Sequence, residues 1–351
     1  MKKRTLSRLA GLFLAGSVLC AGCAGSGRTE EDPVRTEDVK EEDKEEPSPT
    51  PTLPVESDTD SPDKEDDGTA LTEDGKAPEE ELYEAFMEGR EKALLPAGIH
   101  DGSYYSLHSA LKDGEYYNLD EITEKLCDYM EGDGWNKRPD VGEPEFKYID
   151  CGRDGHDELL IKLPLPVEGI EPFEVQLVLK ATEEGLRICY AGDSWSRSDT
   201  SISYYGLISS GGSAGAASTA GDMSFLDADG EWHFWYSLET DTDFAIEQYY
   251  AFGIGDQYKI LDFTGQDTSR LVIERFAFQP EFANRLHFYS FYRTDDAGNR
   301  LVDPADYEAG SPIMKIFTDN GFTVYSPDEI EELLAERAAE IGLPESVVGA
   351  D

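Results

Sequence analysis

Residues 146–163 read FKYIDCGRDGHDELLIKL. Apolar and polar residues alternate from Phe146 to Ile149, the mark of a strand with one buried face. Asp150, Asp154 and Gly155 then make an acidic turn, and the apolar run Leu159–Leu163 forms the returning strand. This strand–acidic turn–strand unit recurs downstream. Phe173–Lys180 and Leu186–Ala191 flank Glu183-Glu184-Gly185, while Met223–Leu226 and Trp232–Leu238 flank Asp227-Ala228-Asp229-Gly230. His287–Arg293 and Arg300–Val302 flank the turn Thr294–Asn299. Glycine in such turns supplies the positive φ that tight hairpins require. Tyr258–Phe263 with Leu271–Phe278 is expected as a further pair, and Ile202–Ser209 as a strand leading into a Gly/Ala/Ser-rich loop.

Helices are expected at the two ends of this β region. Pro78–Leu94 opens with Pro and three Glu, which suit a first helical turn, and carries Leu82, Phe86 and Ala93 near one face. In 118–130, Asn118 caps, Glu121 completes a capping box, and Ile122, Leu126, Tyr129 and Met130 form an apolar stripe. Ser326, Pro327 and Glu329 start a last helix through Ile341 that Gly342 ends, with Ile330, Leu333, Leu334 and Ala338 on its buried side. The fold class that follows is α+β: a mainly antiparallel β-sheet core of meander or propeller-like hairpins, with N-terminal and C-terminal helices. The organisation expected is 1–22 signal peptide, 23–78 tether, 79–135 helical N-terminal part and 136–351 β-rich domain closed by a helix.

The first 78 residues follow different rules. Lys2, Lys3, Arg4 and Arg8 precede the apolar segment Leu9–Leu19, which is too short to span a bilayer as a helix and reads as an export signal. Leu19-Cys20-Ala21-Gly22-Cys23 resembles a bacterial lipoprotein signal, with Cys20 where Leu is usual. The resemblance implies that Cys23 becomes the first mature residue, carries acyl chains and holds the chain on the extracytoplasmic face of the cell membrane. From Arg28 to about Pro78 the chain is dominated by Glu, Asp, Pro, Ser and Thr without apolar periodicity. Such a stretch buries too little apolar surface to offset its ordering entropy, so a disordered acidic spacer is expected.

The net charge of −45 over 351 residues argues against a nucleic-acid partner and against adhesion to anionic lipid. Beyond Leu19 no apolar run reaches transmembrane length. Cys127, Cys151 and Cys189 allow one disulfide at most, and their scatter does not match a zinc site. Buried unpaired thiols are the reading that follows.

Three patterns could carry chemistry. The Asp150 turn resembles the calcium loops of FG-GAP-type β-propeller repeats, D-x-[DN]-x-[DN]-G-x-x-[DE]; Asp150, Asp154, Gly155 and Glu158 match and Gly152 replaces one ligand. The resemblance implies Asp150, Asp154 and Glu158 as ligands of Ca2+, with no cofactor otherwise required. The other reading has Asp150 and Asp154 capping the turn through main-chain N–H groups. Gly211-Gly212-Ser213-Ala214-Gly215 matches the nucleophile elbow G-x-S-x-G, which needs a strand before the serine and a helix after it; here Ser, Thr and Gly follow. A serine hydrolase or esterase on Ser213 is therefore an alternative to a non-enzymatic module. Trp195, Tyr204, Tyr205, Trp232, Phe234, Trp235, Tyr236, Tyr249 and Tyr250 serve chiefly as core and cross-strand pairs, and exposed members can stack on sugars or peptides.

FKYIDCGRDGHDELLI together with YYGLISSGGSAG and FLDADGEWHF is similar to surface lipoproteins of Gram-positive anaerobes, a resemblance that names no activity. The reading as a whole is a membrane-anchored extracytoplasmic lipoprotein that binds or presents a cell-wall, glycan or protein ligand. A solute-capturing lipoprotein is a further alternative, although such proteins alternate helix and strand in two lobes.

Overall fold

The computed structural model describes residues 78–102, 107–132, 137–167, 172–242, 249–254 and 257–348; the signal, Cys23 and the tether lie outside them. Strand follows strand in sequence order, so most of the sheet is a meander. β4 (Glu145–Ile149), β5 (Glu158–Pro164), β6 (Phe173–Thr182) and β7 (Gly185–Trp195) pair antiparallel with their chain neighbours. β8 (Ser198–Ile202), β9 (Leu207–Ser213), β10 (Ser218–Leu226) and β11 (Trp232–Asp241) continue the same order. β14 (Leu271–Ala277), β15 (Phe288–Thr294) and β16 (Arg300–Leu301) complete it. The architecture is α+β and mainly antiparallel.

The apolar run of β5–β7 is explained by burial on both faces. Leu159, Ile161, Leu163, Val175, Leu177 and Leu179 form one cluster with Tyr83 and Phe86 of α1 (Pro78–Met87), Leu107 of α2 (Leu107–Ala110), and Ile122, Leu126 and Met130 of α3 (Leu119–Met130). On the opposite face, Leu160, Val178, Cys189 and Tyr190 join Ile202, Ile208 and Leu226 from β8, β9 and β10. The later strands of the meander therefore cover the earlier ones. A third cluster unites Leu271, Ile273, Tyr289 and Phe291 with Ile313 and Phe317 of α4 (Pro312–Thr318). α5 (Pro327–Glu340) docks on β11, where the Trp235 indole donates to the Leu334 carbonyl at 3.0 Å. No helix among the described residues is long and apolar enough to cross a membrane.

The capping boxes expected at Asn118/Glu121 and Ser326/Glu329 are both present. The first helix is shorter than expected. It ends at Met87, Gly89 follows at φ +72°, and Ala93–Leu94 form β1, which pairs parallel with β7 and antiparallel with β3 (Tyr116–Tyr117). β2 (His100–Asp101) also pairs parallel with β7. The hairpin expected between 258–263 and 271–278 does not form. β13 (Gln257–Asp262) pairs with β12 (Tyr249–Ile254), and β14 pairs with β11 across that excursion. The expected Gly/Ala/Ser loop is largely strand, because 207–213 and 218–226 pair with each other.

Candidate functional site

The acidic turn after β4 is tied down from every side. Asp150 Oδ1 accepts from the Gly155 N–H at 3.1 Å, and Asp154 Oδ1 accepts from the His156 N–H at 2.9 Å. Glu158 is wholly buried; its Oε2 accepts from the Cys151 N–H at 2.8 Å and its Oε1 pairs closely with the Lys180 ammonium. Burial pushes the Glu158 carboxyl above its ordinary range, opposed by Lys180 and the Cys151 N–H. Gly152 lies at φ +75°, and a Cβ there would sit 2.4 Å from the Ala228 nitrogen. The position where a calcium loop carries a ligand is thus glycine because a second acidic turn, Asp227–Gly230, packs against it. That turn is built alike: Asp227 Oδ1 accepts from the N–H groups of Asp229 and Glu231 at 3.0 and 2.9 Å. Among the described residues no group of three or more His, Cys, Asp and Glu side chains is arranged to hold a metal ion. Cys127, Cys151 and Cys189 are free and buried, and burial pushes the Cys189 thiol up to about 12.

Ser213 ends β9, and the chain returns as β10 with Thr219 opposite it, so strand–turn–strand stands where an elbow needs strand–turn–helix. Its hydroxyl donates to the Gly215 carbonyl at 3.0 Å and accepts from Arg197 at 3.5 Å. The two downstream imidazoles are engaged elsewhere: His233 with Asp227 at 2.7 Å, and His287 beside Glu239 at 3.6 Å.

Ser213 nevertheless lines the larger of two notable cavities, a cleft of about 430 Å³. Its floor is strand backbone with almost no side chain: Gly211, Gly212, Ala220 and Gly221 lie on paired positions of β9 and β10. The glycines are there because of close approach. A Cβ on Gly212 would fall 1.9 Å from the Arg197 carbonyl oxygen, and one on Gly211 would fall 2.8 Å from that of Ala220. Around the floor stand Asp193 and Trp195 from β7, Arg197, Asp222 from β10, and Arg285 from the segment before β15. The buried Arg285 guanidinium donates one nitrogen to both oxygens of Asp222, at 2.9 and 3.0 Å. Burial raises the Asp222 carboxyl, opposed by Arg285. Trp195 is half-buried, packed in part on the first core. Two aspartates and two arginines leave the cleft formally neutral in a strongly acidic chain.

Sequence reading singled out Trp195 and Ser213 but missed Asp193, Arg197, Asp222 and Arg285. The alternation of Asp193 and Trp195 along a strand was the available signal. Nothing local marks Arg285, which reaches the cleft from far along the chain. Of the other aromatics, Trp235 and Tyr236 are buried and Tyr204 is exposed, while the side chains of Tyr249 and Tyr250 lie outside the described residues. The chain is thus a β-meander with a formally neutral, hydrogen-bonding cleft on β7, β9 and β10. No family model matches the chain, and no curated protein or solved structure matches it either.

Proposed function

We propose that this chain is a lipid-anchored extracytoplasmic binding protein whose glycine-floored cleft takes an uncharged, polyhydroxylated ligand, a glycan. The observation that carries the reading is the composition of the cleft: one tryptophan, two aspartates and two arginines around a half-buried floor of peptide backbone. An indole offers an apolar face and a donor edge. Carboxylates accept from vicinal hydroxyls, guanidinium groups donate in a fixed fork, and serine and threonine hydroxyls do either. The balance of charge gives no preference to an anion or a cation. Ser213 contributes hydrogen bonds in this reading rather than a nucleophile, because its partners are a carbonyl and an arginine. The lipid anchor rests on Leu19-Cys20-Ala21-Gly22-Cys23.

The test is binding of the mature chain to arrayed neutral glycans, followed by titration of the best one. Trp195→Ala is expected to weaken binding at least about tenfold, which is about 1.4 kcal/mol. A folded chain that binds no glycan, or a Trp195→Ala variant that binds like the wild type, overturns the reading. Incorporation of labelled palmitate, lost in Cys23→Ala, tests the anchor separately.

A further inference from the structure

Arg285 is deeply buried in the wall of the cleft and yet incompletely used. Its side chain is 8% exposed, and its bonds all run through Nη2, to both Asp222 oxygens and at 3.4 Å to the Pro280 carbonyl. Nε is sealed from solvent with no partner within the protein. Nη1 has no partner among the described residues either. It is not sealed, so it is the nitrogen that Arg285 turns to the cleft. The grip of Asp222 fixes the plane of the guanidinium, so the two Nη1 donors are aimed before any ligand arrives.

Phe282 lies beside this donor, three residues earlier on the turn Phe282–Asn284. The Arg285 guanidinium carbon stands over its ring, 5.7 Å from the centroid, while the residue as a whole is 76% exposed. The rim of the cleft therefore sets an open apolar ring next to an aimed cationic donor.

The acceptor that suits Nη1 carries no net charge. A carboxylate or phosphate would bond to it strongly, but would tip a formally neutral cleft negative within a chain of net charge −45. A hydroxyl is neutral but leaves the Phe282 ring in water. An acetamido group meets both neighbours. Its carbonyl oxygen accepts without bringing a proton to place, and the methyl next to that oxygen can cover the ring. We infer that the ligand contains an N-acetylated amino sugar, its acetamido oxygen on Arg285 Nη1 and its methyl on Phe282. The inference rests on the glycan reading of the cleft and names the class of sugar. Asp222 acts in it as a positioning residue for Arg285.

Sugars that differ only in acetamido for hydroxyl test it. The mature protein is titrated calorimetrically with chitotriose against cellotriose, with N-acetyllactosamine against lactose, and with the best glycan of the array. In at least one pair the acetylated sugar is expected to bind at least about tenfold tighter. Arg285→Lys keeps a cation for Asp222 but loses the second nitrogen, and is expected to bring that pair to near-equal affinity. Phe282→Ala, at an exposed site, is expected to cut the preference about threefold. Near-UV circular dichroism checks that each variant is folded, and if Arg285→Lys is not, Phe282→Ala decides alone. Equal affinity within both pairs, a preference that the folded variants keep, or binding confined to glycans without an N-acetyl group overturns the acetamido contact while the glycan reading stands. If no glycan of the pairs or the array binds the folded chain, the glycan reading fails and the acetamido contact with it.

Discussion

Glu158 shows how one buried carboxylate can hold a turn in place. It accepts from the Cys151 N–H on one side and meets Lys180 on the other, with no surface left to water. Glu158→Ala strands an ammonium against an apolar wall and is expected to cost about 3 kcal/mol, read as a lower urea midpoint at an unchanged slope. The same geometry bears on calcium. A cation between Asp150, Asp154 and Glu158 has to displace Lys180 and the Gly155 N–H. Millimolar calcium is therefore expected to leave the melting temperature unchanged. A rise that chelation reverses would show the carboxylates turning outward to the ion. The capping of this turn by Asp150 and Asp154 through main-chain N–H groups is legible in the sequence; the pairing of Glu158 with Lys180 of β6 and the packing of Gly152 on Ala228 of the Asp227–Gly230 turn are not, because both partners come from distant parts of the chain.

At the scale of elements, the β9–β10 pair carries the cleft because it can dispense with side chains. Gly212→Ala forces a methyl into the Arg197 carbonyl and is expected to destabilise the fold by about 1–3 kcal/mol while weakening glycan binding. Thermal melting and titration on the same sample check both effects. A fully stable variant would mean that β8 yields easily. The strands on either side of each acidic turn, and both capped helices, could be read from local pattern alone, because period-two burial and capping boxes involve neighbours in sequence. α4 has no legible sequence signal beyond its Ser311 cap and Pro312 start, since seven residues show too little periodicity to distinguish them from a loop. The Gly/Ser run of β9 carries no strand signal because glycine and serine are poor strand formers by propensity, and here close backbone approach overrides it.

For the whole molecule, charge sets the response to pH. Burial raises the carboxyls of Glu158, Asp222, Asp241 and Glu274, against the pull of their partners. A carboxyl raised in the folded state holds its proton more tightly there, so its contribution grows as pH falls from neutrality toward the ordinary carboxylate range. The lowered carboxyls act in the opposite sense. Glu239 is held down by the His287 imidazole beside it and by Arg275, and Asp262, Asp267 and Asp295 by bonds from Thr264, Ser269 and Asn299. They stabilise above the ordinary range, and that stability is lost as pH drops through their lowered values. Easing the self-repulsion of −45 charges favours mild acid as well. Calorimetry at constant ionic strength is expected to place the highest melting temperature near pH ~5 rather than at neutrality. A melting temperature that falls steadily from pH 7.5 to 5 would contradict this.

Local pattern is enough for the antiparallel strands, the acidic turns and the capped helices, because each depends on residues a few positions apart; counting three cysteines leaves at least one thiol unpaired, and the structure shows all three free. Tertiary structure alone decided that β14 pairs with β11 across an excursion, that Arg285 meets Asp222, and that a strip of glycines becomes a floor. These depend on which distant surfaces bury one another, and no local period in the chain records that.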